Sequence, residues 1–137
     1  MISVTITRNH NGQVCGFTVE HHGVGEVCAA VSMLALNTVN SIEALTKEPY
    51  ACDYNDAGGF LSCTLPKMAE GGRKSRDAGL LLESMALGMH SIKEHYPGEI
   101  KLADLTLTES AAPNGKKANA KAVSKGSAAK DLKPDAK

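Results

Sequence analysis

Tryptophan is absent from the 137-residue chain, and aromatic residues make up only 4% of it. A core without large rings must be built from Leu, Val, Ile, Ala and Met, within one domain of ordinary size. The N-terminus, MISVTITRNH, lacks the basic-then-apolar layout of a signal peptide. No CxxC pair joins the four cysteines, at 15, 28, 52 and 63, so they read as reduced thiols of a cytoplasmic protein. No charge interrupts Val27–Ile42, but that run is too short for a membrane span. Asn37, Thr38, Asn40 and Ser41 break it, so a buried core helix is expected and no membrane partner. Net charge is also lacking. The zero total divides into a body of −4 and a tail of +4, beginning at Glu109 and carrying seven lysines.

What is present is patterned. ISVTIT and VCGFTVE alternate around an Asn11-Gly12 turn, predicting a β-hairpin over residues 2–20. From Glu26 the period lengthens, and Val27, Val31, Leu34, Thr38, Ile42 and Leu45 share a helical face. YACDYNDAGGFLSCTLP reads as a second hairpin turning at DAGG and ended by Pro66, and KMAEGGRKSRD as a mobile loop. AGLLLESMALGMHSIKEHY is a second long helix stopped by Pro97-Gly98, and EIKLADLTLT a last strand. The expected fold is a two-layer α/β sandwich, order ββαβ(β)αβ, with a mainly antiparallel or mixed sheet covered by two long helices. Residues 1–108 form this domain. Residues 109–137 are a disordered Lys/Ala-rich tail, too poor in apolar residues to offset chain entropy. Its diluted charge reads as solvation first, leaving room for weak, salt-sensitive contact with RNA phosphates.

The chemistry concentrates in EHHGVGEVCAAVS, residues 20–32. A cysteine at a helix start, such as Cys28, faces unpaired amides and the positive end of the helix dipole, which favours a nucleophilic thiolate. His22 stands five residues upstream with glycines at 23 and 25, so a turn can fold its ring back to the sulfur. Such a pair performs acyl transfer, with helix amides as oxyanion donors. The competing reading is that Cys28 simply packs in the core. A zinc site of His21, His22, Cys28 and Cys15 lacks recognised spacing, so no metal is expected. GGRKSR lacks the Walker ending, and no cofactor is called for.

FTVEHHG, VCAAVSML, NTVNSIEAL, GGFLSCTLP and LLLESMALGMHSIKEHYPGEIKL occur in this order. Together they resemble the ribosomal-processing cysteine proteases, the Prp family, over about residues 1–107. The resemblance implies a catalytic dyad of His22 and Cys28, with His21 replacing the family's usual glycine. Ser32 falls at a position near the dyad. It implies an endopeptidase that removes the N-terminal extension of large-subunit ribosomal protein twenty-seven after an aromatic-rich sequence, and a homodimer. This chain departs in its shorter His-to-Cys loop, where Glu26 stands near a missing aspartate. The alternative is a non-catalytic relative that binds a ribosomal protein or peptide without turnover.

Overall fold

The computed structural model of the chain describes residues 1–21, 25–55, 59–71 and 76–107. The expected basic tail, most of the DAGG turn and the centre of the GGRKSR loop lie outside them.

Strand β1 (Ile2–Arg8) alternates as its sequence demands: Ile2, Val4 and Ile6 are buried and Ser3, Thr5 and Thr7 face the other side. It pairs antiparallel with β2 (Val14–Glu20), placing Val19 opposite Val4 and Phe17 opposite Ile6. The hairpin turn is organised by a fully buried Asn9. Its Oδ1 accepts the amides of Asn11 and Gln13 at 2.9 and 3.0 Å, and its Nδ2 donates to the Met68 carbonyl at 2.7 Å. Gly12 supplies the left-handed backbone this turn requires, at φ 84°. Cys15 is the extra residue of a β-bulge, since Thr7 pairs with Gly16 while Arg8 pairs with Val14.

Helix α1 (Glu26–Leu45) follows, and its inner stripe of Val31, Ala35, Val39 and Ile42 has no solvent exposure. Length and composition alone would let this helix cross a membrane, yet that stripe lies in the protein's own core. Leu45, expected on the buried face, is exposed on the last turn. Strands β3 (Ala51–Asn55) and β4 (Phe60–Thr64) form the second hairpin. Pro66, read from sequence as a strand stop, also opens a short helix α2 (Pro66–Ala69), where its missing N–H costs nothing. Helix α3 (Arg76–His95) buries Ala78, Leu82, Met85, Ala86 and Met89, and β5 (Ile100–Thr106) is the last element among the described residues.

The sheet order is β3-β4-β2-β1-β5, antiparallel except for the parallel β1–β5 pair. The mixed sheet and the two long helices accord with the sequence reading; the addition is α2, giving ββαββααβ. Both long helices contribute to one core with the buried faces of the strands. Each fully buried Val, Leu, Ile or Met there contributes about 1.5–3 kcal/mol. The helices meet closely at Gly88, where an added Cβ would come within 2.7 Å of Leu34 Cδ2. A charged cluster locks β5 in place. Arg8 donates from Nε and Nη2 to Asp104 at 2.7 and 3.1 Å, and His90 of α3 reaches the same carboxylate at 3.0 Å. The Arg8 hydrogen bond, helped by His90, holds the Asp104 carboxyl below its ordinary range.

Candidate active site

Strand β2 ends at Glu20, and the chain then changes direction abruptly. His21 adopts φ 62°, a left-handed conformation uncommon for a residue with a side chain. Gly25, immediately before α1, has φ 115° and ψ 171°, a region open in practice to glycine alone. His22 lies between them, with Gly23 and Val24, outside the described residues.

The first helical hydrogen bond runs from the Ala29 amide to the Gly25 carbonyl at 3.0 Å. The amides of Glu26 and Val27 lie ahead of it, at the positive end of α1. Cys28 occupies this first turn and is 8% exposed. It lines a cleft of about 370 Å³ together with His21, Gly25 and Val27. The lining also includes Met1, Ile2 at the beginning of β1, and Gly98 and Glu99 before β5. These segments meet because Ile2 pairs in parallel with Ile100. The turn before β5 is firmly held: the Glu99 amide donates to the Tyr96 carbonyl at 3.0 Å. Lys93 Nζ donates to the carbonyls of Pro97 and Ile100 at 3.2 and 3.1 Å.

Of the residues singled out in the sequence, the structure thus brings His21 and Cys28 to one cleft. Strand alternation would set His21 on the Phe17–Val19 face, but the strand ends before it and the left-handed turn redirects it. Glu26 is exposed next to the cleft and does not line it; Ser32 is half-buried one turn along α1 and does not line it either. Cys15 lies at the other end of β2, where its thiol faces the Thr7 carbonyl at 3.6 Å. The four-ligand zinc arrangement is therefore not assembled around it. No group of three or more His, Cys, Asp or Glu suited to a metal occurs among the described residues.

The remaining cysteines behave as core residues. Burial pushes the Cys15 thiol up to about 11 and Cys52 up to about 12, and raises Cys63, opposite Cys52 in the sheet, further still. The contributions of Ile2, Gly98 and Glu99 escaped the sequence reading. The Pro97-Gly98 turn was visible, but the parallel pairing that carries it to Cys28 was not.

A cysteine at a helix head, in a cleft that a histidine also lines, suits attack on a carbonyl. The sequence profile of the cysteine protease Prp family matches residues 1–101. Over 108 residues the chain is 31% identical to the ribosomal processing cysteine protease Prp of Staphylococcus aureus, covering 74% of this chain and 97% of the relative. The Bacillus subtilis protein of the same name is 25% identical over 108 residues, covering 74% and 96%. Among solved structures, S. aureus Prp in complex with a substrate peptide superposes with a TM-score of 0.68 at 30% identity. The match covers 77% of this chain and 100% of that one. The same protein with a covalently linked product peptide gives the same values. With the profile spanning most of the folded domain and these relatives matched over nearly their whole length, the chain belongs to the cysteine protease Prp family.

Proposed function

We propose that this enzyme is an endopeptidase of ribosomal protein processing, removing the N-terminal extension of large-subunit ribosomal protein twenty-seven with Cys28 as nucleophile. The observation that carries the reading is Cys28 at the head of α1, lining a cleft that His21 also lines. In this mechanism the Cys28 sulfur attacks the scissile carbonyl carbon, and amides at the start of α1 hold the resulting oxyanion. An imidazolium gives its proton to the departing amine nitrogen, and water then hydrolyses the thioester. His22 is the general base and acid, as the family resemblance implies, and His21 forms part of the peptide-binding wall. Glu26 and Ser32 act as supporting residues beside the dyad. The enzyme works in the cytoplasm as a homodimer without a cofactor, and its basic tail makes weak contact with ribosomal RNA.

The test is incubation with the full-length ribosomal protein, read by intact-mass spectrometry. A single cut after an aromatic residue near its N-terminus, abolished by Cys28→Ala, is the expected result. His22→Ala should lower kcat/KM by about 10²–10⁴-fold, and His21→Ala by less than about tenfold. Cleavage that survives Cys28→Ala overturns the mechanism; the reverse order of the two histidine variants transfers the base to His21.

A further inference from the structure

We infer that Glu99 is a specificity residue of the Cys28 cleft and selects peptides carrying a positive charge near the scissile bond. This rests on the peptidase reading and adds a requirement to it. Glu99 is exposed and lines the same cleft as Cys28. Among the described residues no lysine or arginine lines that cleft; Met1 does, but its α-amine makes no ion pair with Glu99. No ion pair to Glu99 occurs among them either; the ion pairs there join Arg8 to Glu83 and Asp104, and His90 to Asp104.

Lys93 directs its ammonium at the Pro97 and Ile100 carbonyls, which fixes the turn that carries Glu99. Three hydrogen bonds hold the backbone of the turn that carries Glu99, so less backbone entropy opposes pairing with an incoming cation than on a loose loop. The chemistry it would recognise is an ammonium or guanidinium, from a Lys or Arg side chain or from a peptide's free α-amine. Because the site is solvent-accessible, the effect should be modest in size and should weaken with salt.

The experiment uses the full chain and a set of twelve-residue peptides with Phe-Phe at the centre. One lysine is moved through the other positions, and each peptide is compared with its glutamine counterpart, with free and acetylated N-termini. Cleavage is measured as kcat and KM, and binding to the Cys28→Ala protein by fluorescence anisotropy. The expected result is a preference of about two- to fivefold for lysine at one or two positions. It should appear in KM and in binding with little change in kcat, shrink in high salt, and vanish in Glu99→Gln. Glu99→Lys should invert it, favouring peptides with glutamate at the same position, a readout that a merely damaged fold would not produce. Loss on acetylation alone would assign the cation to the α-amine. Equal treatment of lysine, glutamine and acetylated peptides by wild type, or a lysine preference unchanged in Glu99→Lys, overturns the inference while leaving the peptidase intact. Binding discrimination without cleavage would leave Glu99 standing and remove the peptidase.

Discussion

Replacing Gly25 with alanine separates backbone strain from steric crowding at the head of α1. A Cβ added at Gly25 would meet no atom within 4 Å among the described residues beyond its chain neighbours, so packing there predicts no penalty. The backbone predicts a large one, because φ 115° and ψ 171° lie where an L-residue costs about 1–3 kcal/mol. Alanine also restricts the unfolded chain, returning about 0.4–1 kcal/mol. The net expectation for Gly25→Ala is a loss of about 1–2 kcal/mol, read from urea denaturation as a lower midpoint with an unchanged slope. D-Alanine has the mirror-image preference, and the mirror of this conformation falls beside the extended region favoured by L-residues. It should therefore fit without strain and stabilise the protein by about 0.4–1 kcal/mol. Ligation at the Val27–Cys28 junction makes that variant accessible and leaves the native thiol in place. Activity should follow the same split, because Gly25 accepts the first hydrogen bond of the helix that carries Cys28. Equal destabilisation by the two enantiomers would refute the strain argument, since only a contact insensitive to handedness could cause it.

Two further outcomes follow from the chemistry of the side chains. With Cys15 and Cys52 pushed up to about 11 and 12 by burial, and Cys63 higher, limited iodoacetamide at pH 8 should modify Cys28 before the other three. Peptide mapping would decide, and labelling of Cys15, Cys52 or Cys63 at a comparable rate would contradict it. The Asp104 carboxyl is lowered chiefly by the Arg8 hydrogen bond, so its contribution is fully present above the unfolded value near 4 and fades as pH falls through the native one. Asp104→Asn should accordingly cost about 1 kcal/mol or less at pH 7 and show a smaller loss of stability than wild type between pH 5 and pH 2 (about the range over which a carboxylate protonates). Parallel pH–stability curves for the two proteins would show that the ion pair contributes nothing.

The local elements were legible wherever one face is wet and the other dry. Alternation in residues 2–20 located the first hairpin, including its Asn11-Gly12 turn, because Ile2, Val4 and Ile6 meet the core while their neighbours do not. The start of α1 at Glu26 was equally visible as a change of period. Long-range pairing was not. Nothing in EIKLADLT announces that it lies parallel to β1, since that choice depends on a crossover through the helical layer. The cleft suffers from the same gap: its cysteine wall is local, whereas Ile2, Gly98 and Glu99 arrive through tertiary structure. His21 shows a second limit, for parity counting holds only while the strand continues, and a single left-handed residue ends it.

The parallel β1–β5 pair has a consequence for the protein's own synthesis. Strand β1 is first to be made and sits inside the sheet, but one of its two neighbours comes from the end of the domain. Contacts of such high sequence separation delay closure of the fold, because the intervening chain must be ordered first. A nascent chain can form the first hairpin and α1, and so carry Cys28, well before Gly98 and Glu99 exist to complete the cleft lining. The cleft is thus completed only when the domain is nearly finished.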